Sequence, residues 1–209
     1  ELEALADQFN RSTAALQESY ETLEQRVEDR TRELRESLEQ QTATAEILHV
    51  ISQSPTDVQP VLNVVARAAL KFCGASDAMI TLRKGDESVY AAHEGILGIT
   101  MGRSRPLDSS TATSRAILEG RTVHIADIEA LDPMEFSTMR EIAQRRGFRA
   151  ALAVPLASES VIMGAIGLRK IEPGPFTPRQ IELLEAFAAQ AVITIQNVQV
   201  VDPAPLSTD

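Results

Sequence analysis

Residues 150–168, AALAVPLASESVIMGAIGL, decide the fold. Ala150–Leu156 and Val161–Leu168 are apolar runs of strand length, joined by Ala157-Ser158-Glu159-Ser160. Two such runs around a short polar connection read as a β-hairpin. Gly164 and Gly167 carry no side chain, which permits another element to approach closely. Pro155 has no N–H for a sheet ladder, so it belongs at an edge or a bulge.

Downstream, Pro173-Gly174-Pro175 breaks the chain. Thr177 caps a last helix that begins at Pro178, a residue suited to the first helical position. Ile181, Leu184, Ala188, Ala191, Ile195 and Val198 recur in steps of three and four, as on a coiled-coil seam. Leu183, Phe187, Val192 and Ile193 face another way, so one face is expected on a sheet and the other on a partner. Pro203 and Pro205 end the helix.

Upstream, Ser137–Arg146 reads as a helix stopped by Gly147, and Thr122–Ile125 as a short strand. Ser109-Ser110-Thr111 caps a helix through Leu118 that Gly120 ends. Residues 94–108 are a long connection with a short strand near Ser104–Leu107. Ala78–Leu82 and Ser88–His93 are strands on either side of the Lys84-Gly85-Asp86 turn. Before them, Val58, Val61, Leu62, Val65, Ala68, Ala69 and Phe72 form a wide helical stripe. Thr56 or Asp57 caps that helix, Pro60 sits in its first turn and Gly74 stops it. Cys73 at its end packs as a small apolar residue. Helices and strands in this order give an α+β fold with one mostly antiparallel sheet.

Residues 16–52 are different. Leu16, Tyr20, Leu23, Val27, Arg30 and Leu34 alternate steps of four and three. No Gly or Pro occurs before Pro55, and good helix formers dominate. At about 1.5 Å per residue this is a rod of roughly 55 Å. After Leu34 comes Leu38, a second step of four, and regular steps resume through Gln41, Ala45 and Leu48. Such a stutter locally unwinds a supercoil. A lone helix cannot bury this seam, and a second copy of the chain is the simplest partner.

Of 209 residues, 44% are hydrophobic and 24% charged, a globular composition. The net charge of −10 carries none of the basic footprint of a nucleic-acid binder and argues against anionic lipid surfaces. The first 45 residues hold eleven acids against five bases. One cysteine rules out a disulfide framework and a cysteine-built metal cluster. No run of about 18 apolar residues forms a membrane span. Nucleophile-elbow, phosphate-loop and zinc-helix motifs are missing, and no catalysis, metal or cofactor is expected of this stretch. His49, His93 and His124 have no ligand spacing, although His93 and His124 are placed to edge a pocket. The helix start at Ser110, Thr113 and Ser114 offers hydroxyls and backbone donors, and helix N-termini attract anions. With Arg103 and Arg105 just upstream and Arg149 leading into the hairpin, these residues form a candidate receiver for a carboxylate or phosphate.

The pieces Glu46–Asp57, Phe72-Cys73-Gly74-Ala75, Glu119–Asp127, Val154-Pro155-Leu156 and Gly164-Ala165-Ile166-Gly167 resemble a GAF domain of bacterial sensor histidine kinases and related cyclases. The string ELEALADQFNRSTAALQ (1–17), with Phe9-Asn10, resembles the second helix of a HAMP domain. LEQRVEDRTREL (23–34), with Asp29-Arg30-Thr31, resembles the signalling helix that joins HAMP to later modules. The resemblance implies a HAMP-like and signalling coiled coil over 1–45, a GAF domain over 46–201 and a tail or linker over 202–209. It implies a sheet of five or six strands with helices on one face and a ligand pocket on the other. It also implies a parallel homodimer joined through the terminal helices, with Leu16, Tyr20, Leu23, Val27, Leu34, Leu38, Leu48, Ile181, Leu184, Ala188, Ala191 and Ile195 at the seam. The family's cyclic-nucleotide signature is missing, and Cys73 is misplaced for a bilin attachment. The expected role is a non-catalytic sensory relay in the cytoplasmic part of a membrane-anchored receptor, feeding an output domain further along the chain. The competing readings are a ligand-free dimerisation scaffold and an enzyme like the methionine-sulfoxide reductases of the same fold, which need reactive cysteines.

Overall fold

The structure, a computed structural model, describes residues 16–17, 20–32, 58–132, 134–158 and 161–201, with side chains through Asn197. They fall into two units, one within residues 1–42 and the other within 43–209. In the first, residues 20–32 are helical (α1). The expected seam residues Leu16, Tyr20, Leu23 and Val27 are 59, 63, 56 and 57% exposed among the described residues. Leu34, Leu38, Leu48, the stutter, the Phe9-Asn10 pair, Thr56, Asp57 and the tail all lie outside the described residues.

The second unit runs α2 (Gln59–Phe72), β1 (Asp77–Lys84), β2 (Glu87–Gly95), β3 (Ser104–Pro106), α3 (Ala112–Glu119), β4 (Val123–Ile125), α4 (Ser137–Arg146), β5 (Ala150–Ala157), β6 (Ile162–Lys170) and α5 (Pro178–Val201). The six strands form one antiparallel sheet in the order β3-β2-β1-β6-β5-β4. The hairpin is β5–β6, in register from Ala150↔Lys170 to Ala157↔Ile162 with a shift after Leu156. Pro155 sits beside that shift, beyond the last β4 pairing at Val123↔Ala153. Helix signals are used as read: the Thr111 hydroxyl accepts from the Ser114 N–H, and Gly120 ends α3 in the left-handed region. Thr177 and Gln180 exchange reciprocal cap bonds of 2.9 and 3.2 Å at the start of α5.

Strand residues alternate between the two faces of the sheet. Ile80, Ala92, Leu152, Val154, Leu156, Ile166 and Leu168 point to one face, where α2 and α5 cover them in the larger core. Ala151, Ala153 and Ala165 point to the other, against α3 and α4. Large side chains fill the first face, while small ones on the second let α3 come close. A Cβ at Gly167 would stand 2.7 Å from Thr113 Cγ2, so the helix occupies the space a side chain would need. The sheet is thus flanked on both faces: α2 and α5 cover one, and α3 and α4 cover part of the face expected to hold the pocket.

The α5 stripe is corrected. Leu184, Ala188, Ala191 and Ile195 are at most 5% exposed inside the core of their own subunit, and Ile181 packs against it. Steps of three and four serve a helix on a sheet as well as a helix on a helix. What α5 exposes instead is Glu182, Ala186, Ala189, Ile193 and Gln196, which also step by four and three.

Candidate functional site

On the α3–α4 face the covering is incomplete. A cavity of about 430 Å³ opens between β2, β3, the 96–100 loop and α4. Its apolar wall is Tyr90, Ile96, Ile99 and Ile142. A smaller apolar recess lies beneath and shares Tyr90, Ile142 and Arg169 with it; Met79, Thr113, Phe148 and Gly167 line that recess. The remaining wall is cationic: Arg103, Arg105, Arg145, Arg146 and Arg169.

Each element has a local reason to deliver its side chain there. β3 pairs Arg105 opposite Ser88, and the Arg103 carbonyl accepts from the Tyr90 N–H at 3.2 Å, which sets both arginines at the open sheet edge. In β6 the register Ala165, Gly167, Arg169 stays on one face, so Arg169 continues the small-residue row. Its guanidinium donates to Asp77 Oδ2, from Nε at 2.8 Å and also from Nη2. Asp77 is fully buried, and its other oxygen takes His93 Nε2 at 2.7 Å and the Leu97 N–H at 3.2 Å. The Arg169 guanidinium also lies 5.0 Å over the Phe148 ring. Burial pulls Arg169 below its ordinary value, and the Asp77 carboxylate opposes that pull.

α4 supplies the far wall. It starts from Phe136, a buried residue in the left-handed region (φ 51°) whose ring lies 3.7 Å beneath the Arg115 guanidinium. Arg115 in turn donates to Glu135 at 2.8 Å. At the other end of α4, Arg146 donates to the Leu97 and Gly98 carbonyls and pins the 96–100 loop across the cavity.

The sequence candidates separate in this geometry. Arg103 and Arg105 line the cavity and Thr113 lines the recess. His93 stands one hydrogen bond away, committed to Asp77. Four candidates are corrected. Ser110 is tied to Asp108 through its hydroxyl and its N–H. Ser114 is buried in the α3 cap, where its Oγ accepts from the Thr111 hydroxyl. Arg149 is held by Asp127 at 2.7 Å and Glu129 at 3.1 Å. His124 sits on the opposite face, since Val123 and Ile125 point into the α3–α4 core. Its Nε2 accepts the Phe176 N–H at 2.9 Å, and burial, then nearby Lys170, hold its pKa below the usual histidine value. Sequence reading missed Tyr90, Ile142, Arg145, Arg146 and Arg169. For Arg169 a signal existed: it shares strand parity with Gly167, which sequence alone had already marked for close approach.

Cys73 is fully buried beneath α5, and burial pushes its thiol up to about 12. Such a thiol stays protonated and is a poor nucleophile. Among the described residues, no three of His, Cys, Asp and Glu gather as metal ligands, and no helix is long and apolar enough to cross a membrane.

A model of the GAF domain family matches residues 57–195. Among solved structures, the phycocyanobilin-bound GAF domain of a cyanobacterial phytochrome is similar at a TM-score of 0.65 and 15% identity, over 78% of this chain and 96% of that one. Residues 122 to 287 of a methyl-accepting chemotaxis protein superimpose at 0.63 and 18%, over 78% and 99%. The free methionine-R-sulfoxide reductase of Neisseria meningitidis, with its substrate, gives 0.58 and 21%, over 76% and 93%.

Proposed function

The chain belongs to the GAF domain family, and on that premise we propose that it is a dimeric sensory and relay module that takes a small molecule in the cavity beside α4. GAF domains act as sensory and signalling modules, and some bind small molecules. The observation that carries the reading here is the cavity itself. It is of ordinary ligand size, with an apolar floor and converging polar groups, on the face the sheet leaves partly open. The bilin held by the phytochrome domain and the substrate held by the reductase support a ligand on this fold. The buried, unactivated Cys73 favours sensing over the thiol chemistry of a reductase.

The dimer rests on Leu16 and on Tyr20, Leu23 and Val27 of α1, apolar side chains that stay more than half exposed. In this reading the second contact is the exposed α5 stripe around Ala186, Ala189 and Ile193 rather than the buried one. A ligand that prefers one arrangement of the helix pair shifts the balance between two, and α5 passes the change to an output domain. The parent is a membrane-anchored bacterial receptor of the two-component, histidine-kinase type, with a HAMP-like helix ahead of α1.

Two measurements test this. Melting of residues 1–209 across a metabolite panel should show a raised midpoint for at least one compound, because binding to the native state stabilises it. A flat response favours the ligand-free scaffold. Sedimentation equilibrium should give a dimer at micromolar concentration and a monomer for Leu23→Glu. A monomeric parent chain removes the basis of the relay.

A further inference from the structure

The chemistry of the ligand follows from charge, given the sensory reading above. Five arginines from three parts of the chain meet in one cavity, and among the described residues no acidic side chain lines it. This is not a reflection of composition, since the chain carries −10 overall. Their commitments differ. Arg169 is neutralised by Asp77. Arg146 is held by two loop carbonyls, which satisfy donors but leave the charge. Arg145 Nε reaches only the Glu141 carbonyl of its own helix, at 3.4 Å. The side chains of Arg103 and Arg105 meet neither carboxylate nor carbonyl among the described residues. The Nε of Arg105 is buried with no hydrogen-bond partner among the described residues.

A guanidinium has five donors, and a buried one left unpaired is costly. Like charges around a concave, low-dielectric wall also repel and focus a positive field on its interior. An anion relieves both costs at once, and forked N–H groups match phosphoryl and carboxylate oxygens. We propose that the cavity selects a small organic polyanion, with at least two negative charges held by Arg103, Arg105 and Arg145. Its apolar part faces Tyr90, Ile99 and Ile142, above the Met79–Phe148 recess. A monoanion leaves most of the charge uncompensated, and a single concavity of about 430 Å³ suits a metabolite rather than a polymer or a membrane.

The test is calorimetric titration of the chain at constant ionic strength with two probes, pyrophosphate for phosphoryl oxygens and citrate for carboxylates. At least one is expected to bind with a sub-millimolar dissociation constant. Arg105→Gln and the exposed pair Arg103→Gln/Arg145→Gln should each weaken it tenfold or more. Arg121→Gln, outside the cavity and paired with Glu119, should change it less than twofold. Circular dichroism checks that every variant folds, and the exposed pair carries the test if Arg105→Gln does not. Equal weakening by Arg121→Gln overturns the proposal by showing diffuse charge attraction. So does the lack of binding by either probe at millimolar concentration. In that case a neutral metabolite that raises the melting midpoint leaves the sensory reading standing and sinks only the polyanion. If no compound of either kind binds, both readings fall.

Discussion

The two faces of one sheet are drawn from the same strands and built to opposite ends. Leu152, Val154, Leu156, Ile166 and Leu168 meet α2 and α5 in a closed apolar layer. One residue away along the same strands, Ala151, Ala153, Ala165 and Gly167 meet α3 closely, and the layer then opens into an arginine-walled cavity. Large side chains on one side and small ones on the other let a thin sheet hold a stable core and a vacancy back to back. The charge follows the same division. The buried Asp77–Arg169 pair and the free Arg103 and Arg105 all belong to the open face.

That contrast can be broken at several points. Asp77→Ala should be the most damaging change, since it leaves Arg169 buried and unpaired. A loss of about 3–5 kcal/mol in urea unfolding is expected. The double variant Asp77→Leu/Arg169→Met should recover most of it, and failure to recover would mean the pair does more than neutralise itself. On the closed face, Leu184→Ala should cost about 3 kcal/mol through transfer and cavity terms. It should leave probe affinity in the folded protein unchanged, and altered affinity would show the two faces to be coupled. Gly167→Ala sharpens the small-residue argument. The new methyl meets Thr113 Cγ2, with an expected cost of about 1–3 kcal/mol from overpacking. Thr113→Ser removes that methyl and should reduce the penalty. An equal penalty in both backgrounds would place the clash elsewhere.

The smallest effect is a pH dependence on the closed side. His124 is held neutral in the fold, below its ordinary value of 6.5, by burial and then by Lys170. A histidine depressed in this way contributes stability that is present above pH 6.5 and lost as pH falls toward the depressed value. Between pH 7.5 and 5 the parent should therefore lose more stability than His124→Gln. Parallel curves would show that the Phe176 N–H contact carries no proton linkage.

Much of the fold was legible because its signals are local. The hairpin came from two apolar runs, α3 from Thr111 and Gly120, and α5 from Thr177-Pro178. The α5 partner was not legible. Leu184, Ala188, Ala191 and Ile195 have the same spacing whether they meet a sheet or a second helix, and only the position of β5 and β6 decides. The site was legible in part. Arg103 and Arg105 stood out as neighbours in sequence, whereas Arg145, Arg146 and Arg169 join them only through topology. His124 was readable in principle, since Val123 and Ile125 on either side assign it to the other face. Arg149 was not, because its partner Asp127 is 22 residues away.

The central claim is that the open face receives the ligand and the closed face does not. Heteronuclear NMR during titration with pyrophosphate and citrate tests it directly. The account predicts saturable shifts at Tyr90, Ile99, Ile142 and Gly167, with Leu62, Ile80 and Phe187 unmoved. Shifts that begin in the second set, with the first unmoved, would contradict it.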